Sequence, residues 1–305
     1  MNRFSYSAYG LTLTSTLSLP ELVSAEGKVD VCIEVDRCKG LAHREYSPIL
    51  CADASPNRVH LTWGAVGDLL IEEGCRITVI PAPDADENDL RLFVLGAGLG
   101  VLLHQRGLLV LHASGVAIRD RIVGFTGAKG WGKSTTAASL YRRGYPLVSD
   151  ELLVVRFDAG DRPLVIPGSP QMRLWSDALL GVGGDPDSAV RVRSGIDKFS
   201  VGATKIATEA LPFYGLYLLD IGEELSIQLV SPSEAFFGVM QHLYVYRFGT
   251  KFLQLTDAAR AFQQLSWLLK KIVVKRLFRR RNISQLADIA KLVEQDAYRG
   301  LAPAQ

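Results

Sequence analysis

One stretch limits the fold more than any other. Gly127-Ala-Lys-Gly-Trp-Gly-Lys-Ser-Thr135 has the spacing G-x-x-x-x-G-K-[ST], the Walker A pattern, and lies between a strand-like run and a helix-like one. Arg121–Thr126 is short, apolar and β-prone, while Ser134–Arg143 holds helix formers and is closed by Gly144 and Pro146. A strand that turns through glycines into a helix belongs in an α/β fold. The glycines let successive N–H groups face phosphate oxygens, Lys133 reaches the β- and γ-phosphates, and the Ser134 hydroxyl can ligate Mg²⁺. The positive end of the helix dipole faces the same anion. ATP or GTP with Mg²⁺ is therefore the expected ligand. Gly127, Gly130, Trp131, Gly132, Lys133, Ser134 and Thr135 are the residues expected to hold it.

The rest of the composition sets bounds. A chain of 305 residues makes one large or two ordinary domains, and 48% apolar with 22% charged residues are the proportions of a globular protein with a core. A formal net charge of +2 supplies no overall field for nucleic acid. The 4 cysteines (Cys32, Cys38, Cys51, Cys75) lack C-x-x-C spacing and read as ordinary thiols. The N-terminus has no secretory-signal pattern, and the most apolar run, Phe93–Leu103, is too short to span a bilayer. A soluble, cytoplasmic protein without a membrane partner is expected.

From Met1 to about Pro83 the pattern has period two, as at Val29, Val31, Ile33 and Val35 and again at Val59, Leu61 and Trp63. Leu70–Val79 reads as two strands around Gly74. This predicts an antiparallel, β-rich N-terminal subdomain over 1–84, ended by the polar linker Pro81–Asn88, and a second domain over 85–305. A helix is expected from Asn88 to Arg106, with Gly96, Gly98 and Gly100 as small packing positions. Leu108–Ile118 reads as β material, Leu147–Val155 as a buried strand crossed by Asp150 and Glu151, and Gly181–Gly202 as a mobile loop. Phe213–Leu219 reads as a strand. Helices are expected near Ser233–Tyr246, Asp257–Arg280 and Ser284–Arg299. In the second, Leu265, Leu268, Leu269 and Ile272 form a face that runs into Arg276, Arg279 and Arg280, a cationic end either solvated or offered to phosphates or an acidic peptide. In the last, Leu286, Ile289, Ala290, Val293 and Ala297 share one face.

Three segments stand in a common register: Leu111-His-Ala-Ser-Gly-Val116, the loop Gly127–Ser134, and Arg143-Gly-Tyr-Pro-Leu-Val-Ser-Asp-Glu151. Together they resemble the catalytic domain of HPr kinase/phosphorylase, and the broader family of kinase homologues found with peptide-modifying gene clusters, including lasso-peptide serine kinases. Gln171-Met-Arg-Leu-Trp175 and Leu211–Leu219 are similar to the small peptide-kinase homologues as well, so the resemblance spans roughly Gly107–Tyr246. The family's paired aspartates stand here as Asp150-Glu151, Gln171-Met-Arg173 replaces an acidic signature, and the full HPr-docking signature is absent. The resemblance implies a P-loop kinase core of the HPr kinase and phosphoenolpyruvate carboxykinase type, with a small β-rich N-terminal subdomain and C-terminal helices. It implies use of ATP and Mg²⁺ and transfer of the γ-phosphoryl group to a serine hydroxyl of a peptide or protein, with a lasso-peptide precursor as one such acceptor. An oligomer is compatible with it. A nucleotide-binding regulatory module without transfer, and a small-metabolite kinase, stay open as alternatives.

A serine acceptor must lose a proton, and a carboxylate within reach can take it. Asp150 is the expected base and metal-side ligand, and by resemblance Glu151 steadies the metal or Lys133. Strand alternation turns the two acids to opposite faces unless a bulge intervenes. His112, by its register with the family, is expected to orient the acid or the γ-phosphate. Asp220, after Tyr217–Leu219, is a rival metal-side acid. Arg173 and Lys198 are candidate substrate-side cations that could neutralise charge during transfer.

Overall fold

The computed structural model describes residues 2–39, 45 and 47–299 as a mixed α/β protein. The chain separates into two compact units, Met1–Val110 with Leu243–Gln264, and Leu111–His242 with Leu265–Gln305. The polar linker Pro81–Asn88 thus lies inside the first unit. No described helix is long and apolar enough to cross a membrane.

The first unit is built on one eight-stranded sheet. Its strands are β1 (Phe4–Ala8), β2 (Leu11–Ser15), β3 (Val23–Ser24), β4 (Val31–Val35), β5 (Leu50–Ser55), β6 (Arg58–Trp63), β7 (Gly67–Glu72) and β8 (Arg76–Pro81). Their spatial order is β3-β1-β2-β4-β8-β7-β6-β5. Alternation works as expected on β6, where Val59, Leu61 and Trp63 are buried between half-exposed neighbours. The sheet is not purely antiparallel, because β4 lies parallel to both β2 and β8. Period two reports which face is buried, whereas strand direction depends on how the connections run. Helix α1 (Glu87–Phe93) is capped by Asp86, whose carboxylate accepts the Asn88 N–H at 2.7 Å. It passes through a π turn (Val94–Gly98) into α2 (Leu99–Gln105), so the expected helix is present with one wide turn in its middle. Gly100 is a packing position: a Cβ there would stand 2.2 Å from the ring of Tyr244.

In the second unit β9 (Leu109–Ile118) and β10 (Arg121–Thr126) form a hairpin, followed by α3 (Lys133–Arg142). Next come β11 (Leu147–Ser149), β12 (Leu152–Phe157), β13 (Pro163–Ile166), β14 (Gln171–Trp175), α4 (Ser176–Gly181), β15 (Val190–Arg191), β16 (Lys198–Gly202) and β17 (Leu211–Ile221). Then β18 (Ser226–Leu229), α5 (Pro232–Met240), α6 (Gly249–Leu255), α7 (Ala258–Leu269), β19 (Val273–Arg279) and α8 (Leu286–Arg299) complete the chain, α6 and the start of α7 falling in the first unit. The main sheet runs β10-β9-β12-β13-β17-β19-β18, and a further pairing of β10 with β17 closes its first five strands into a ring. Within it β10, β17 and β19 are parallel, so their carboxyl ends lie on one edge. Helices α3 and α8 cover these strands. Ala137 and Leu140 meet Val123, Phe125, Tyr217 and Leu277, and the expected stripe Leu286, Ile289, Ala290, Val293 and Ala297 is buried in the same cluster.

Four expectations are corrected here. Leu147–Val155 is not one strand but β11 and β12, broken at Asp150-Glu151, where Glu151 takes a left-handed φ of 79°. Gly181–Gly202 is not one loop, since β15 and β16 pair with β14 in a small three-stranded sheet whose Phe199 is buried against Met172 and Leu174. The helix over Asp257–Arg280 stops at Leu269, and the basic run becomes strand β19. The β-branched residues Ile272, Val273 and Val274 favour extended backbone, and helix α8 and strand β17 supply partners for its cations. Lys275 reaches both Asp296 oxygens at 2.7 and 2.8 Å, and Arg276 reaches Asp220 at 2.9 Å. Helix α5 likewise ends at Met240, short of Tyr246.

Candidate functional site

The glycine loop leaves the carboxyl end of β10 and curls into α3. Gly130 and Gly132 hold φ of 81° and 73°, conformations that a side chain makes costly. At Gly132 there is a second reason for glycine, because a Cβ would sit 2.5 Å from Nη2 of Arg279. Lys133, 8% exposed, turns back into the curl and donates to the carbonyls of Gly127 (2.9 Å) and Ala128 (3.3 Å). Trp131 closes the turn with its N–H on the Ala128 carbonyl at 3.1 Å. No side chain caps the start of α3. The first N–H groups of such a helix have no intrahelical partner, so they and the helix dipole suit an anion. Ser134 and Thr135 are half-buried in this first turn, and their hydroxyls make no hydrogen bond among the described residues. The loop thus offers a buried ammonium, an uncapped helix end and open hydroxyls. That set fits a phosphate chain with Mg²⁺, which characteristically keeps few protein ligands.

Asp150 sits in the break between β11 and β12. Its Oδ1 accepts from the Ser114 hydroxyl at 2.5 Å, and its Oδ2 accepts from the Arg173 N–H at 2.9 Å. Ser114 lies on β9 opposite Phe125 of β10, so one strand rung links the carboxylate to the strand that ends in the loop. Glu151 is half-buried and ion-paired with the Arg173 guanidinium. Arg173 therefore holds Asp150 through its backbone and Glu151 through its side chain. His112, on β9, donates its N–H to the His242 carbonyl at 2.8 Å, and its own carbonyl accepts from Thr126 at 3.0 Å, the residue before Gly127. Lys198 is not part of this group: it opens β16 opposite Trp175, its carbonyl accepts the Val192 N–H at 2.8 Å, and its side chain has no hydrogen bond or ion pair among the described residues. Asp220 is committed to Arg276 and to the Ile221 N–H.

Two residues here lie outside the expected site set, and one of them, Arg279, is marked in the sequence only as part of the basic run. His242 follows α5 as a lone histidine, with nothing local to mark it. Burial and the Lys133 charge push its pKa down to about 4, so the imidazole is neutral at pH 7. Arg279 ends β19 and donates through Nη2 to the Trp131 carbonyl of the loop. Burial, and then the charge of Arg281, lower its pKa, although a guanidinium keeps its proton. Its approach to the loop depends on β19 being a strand, which a helical reading of the basic run hides. Beside it, at the carboxyl ends of β17 and β19, Ile221, Gly222, Glu223, Arg280 and Arg281 line an open cavity of about 600 Å³. Ligands of α/β sheets characteristically bind outside the carboxyl ends of the strands.

No family model matches the chain, and neither does any curated protein. Among solved structures it is similar to the Hpr(Ser) kinase/phosphatase from Coxiella burnetii, at 13% sequence identity over 63% of this chain and 99% of that one, with a TM-score of 0.34. At that TM-score the likeness carries no argument about fold or activity. The functional reading rests on this chain's own residues.

Proposed function

We propose that this chain is an ATP- and Mg²⁺-dependent phosphotransferase whose acceptor is a serine hydroxyl on a peptide or protein. The observation that carries the reading is the glycine loop: a left-handed turn at the carboxyl end of a parallel strand, with Lys133 folded into it and an uncapped helix behind it. Phosphoryl transfer asks a protein chiefly for positioning and for neutralisation of charge. Lys133 and the α3 N-terminus would meet the negative charge of the phosphates, and the Ser134 hydroxyl would hold the Mg²⁺, which would supply further neutralisation of phosphate charge.

Asp150 is the general base. An ionised carboxylate can accept about four hydrogen bonds, and Ser114 and Arg173 take one on each oxygen. The remaining lone pairs can receive the acceptor's proton, while the two neutral donors hold the group in place. Glu151 acts through Arg173 in this reading rather than on the metal, since its carboxylate is already paired. His112 and the neutral His242 line the strand side of the loop. The choice of a peptide serine, with a lasso-peptide precursor as one candidate, rests on the three sequence segments in register with the peptide-kinase family, as does a P-loop core of HPr kinase type.

The test is label transfer. Purified protein incubated with γ-labelled ATP, Mg²⁺ and a panel of serine peptides is expected to yield labelled phosphoserine. Saturable ATP binding with no labelled product on any peptide or small alcohol would instead identify a nucleotide-binding regulatory module. Label on the small alcohol alone would identify a metabolite kinase.

A further inference from the structure

The loop has a cationic neighbour that the reaction as drawn above leaves unused. Arg279 is the last residue of β19, in register with Ile221 of β17, and its carbonyl accepts the Gly222 N–H at 3.1 Å. Its backbone is therefore held by the sheet. Its side chain leaves the sheet for the glycine loop, where Nη2 contacts the Trp131 carbonyl and fills the space a Cβ at Gly132 would need. The Nε–H is buried without a hydrogen-bond partner.

Other cations of the same strand are matched to acids: Lys275 to Asp296, and Arg276 to Asp220 with Glu234 further off at 3.9 Å. Arg279 has no carboxylate within ion-pair distance among the described residues. A half-buried guanidinium whose Nε–H is buried and unmatched, set against a loop that suits an anion, has room for an anionic partner. Burial has already removed much of its hydration, so an anionic oxygen brought beside it would be bound with little further desolvation.

Building on the phosphate-loop reading, we propose that Arg279 is a direct ligand of the triphosphate tail, closing on one non-bridging oxygen with Nε–H and an Nη–H as a two-pronged clamp. The planar fork of a guanidinium suits phosphate in this geometry, and an ammonium cannot reproduce it. Glycine at position 132 serves the clamp as well as the turn, since any side chain there would collide with the guanidinium. The nucleotide would then be held from two sides, by Lys133 from within the loop and by Arg279 from the end of β19.

Calorimetric titration with magnesium tripolyphosphate and with MgATP tests this. Arg279→Met is expected to weaken both by the same factor, at least tenfold, because the loss lies in the phosphate tail they share. Arg279→Lys should recover part of that loss, and Arg162→Met, at an exposed arginine paired with Asp158 outside the site, should change either ligand less than threefold. Equal binding by Arg279→Met and the parent protein, with Lys133→Met defective, overturns the clamp and leaves the loop assignment standing. Failure of the parent protein to bind either ligand overturns both. If Arg279→Met does not fold, the parent protein still decides the matter. The Arg279 side-chain ¹⁵Nε–¹H resonance, assigned by its loss in Arg279→Lys, should move downfield on saturation with magnesium tripolyphosphate. An unmoved resonance at saturation overturns the proposal.

Discussion

Asp150 and Asp220 both follow apolar β residues in the second unit, yet their surroundings differ in kind. Asp150 lies in a break between two short strands and is held by a hydroxyl and a backbone N–H, both neutral. Asp220 lies inside β17 and is clamped by the guanidinium of Arg276. To take a proton or a metal, Asp220 would first have to give up a charge-assisted bond, whereas Asp150 has lone pairs open with its present partners in place. A carboxylate at a strand end is thus no site by sequence alone; what holds it decides whether it can react.

Substitutions should separate the two corners by size of effect. The largest is expected at the loop: Lys133→Ala removes the buried ammonium and should cost about 3 kcal/mol or more of transition-state stabilisation. Label transfer near the parent rate would remove the loop from the chemistry. Asp150→Asn keeps the shape and can still accept the Arg173 N–H through its amide oxygen, but its amide nitrogen cannot accept from Ser114 and the group cannot take a proton, so transfer should slow at least a hundredfold while ATP affinity changes little. Unchanged turnover would make Asp150 a structural residue and remove the contrast with Asp220. Asp220→Asn should alter turnover less than threefold and reduce stability by no more than about 1 kcal/mol, as for a partly exposed ion pair. A hundredfold loss there would reverse the assignment of the two acids, and urea melts report the stability change.

The smallest effect separates the corners by acid. His242, beside Lys133, has a folded pKa of about 4 against an ordinary 6.5. A depressed base binds its proton more tightly when unfolded, so its contribution to stability is complete above pH 6.5 and is lost as pH falls toward 4. His104 in the first unit is depressed to about 4 by burial as well, so the parent protein carries both contributions. Denaturant midpoints at pH 7.5 and 5.0 should fall less for His242→Gln than for the parent. Parallel falls would show that His242 titrates normally.

Much of the second unit was legible in advance because its signals are local. The β10–loop–α3 unit follows from a six-residue β-prone run, glycines at fixed spacing and a run of helix formers. The α8 stripe follows from a 3.6-residue period, and all five of its named residues are buried. The errors came where neighbours in space overrule neighbours in sequence. Arg276 and Arg279, on an apolar helix face, read as a helical cationic end, solvated or offered to phosphates or an acidic peptide. They lie in a strand because Asp220 and the loop supply their partners from other parts of the chain. Asp150-Glu151 looked like part of one strand, but the Arg173 backbone and side chain reach over from β14 and hold the break open.

Sequence by itself therefore determined the glycine-loop turn, its helix, the buried faces of the strands and the candidate acids. Each depends on residue type and spacing within about a dozen positions, where backbone preference and periodicity act. Tertiary structure alone decided which acid is held by neutral donors and which by a guanidinium, that His242 stays neutral beside Lys133, and that Arg279 meets the loop. These depend on distances between groups far apart in the chain, and electrostatic and hydrogen-bond energies are set by those distances and by burial.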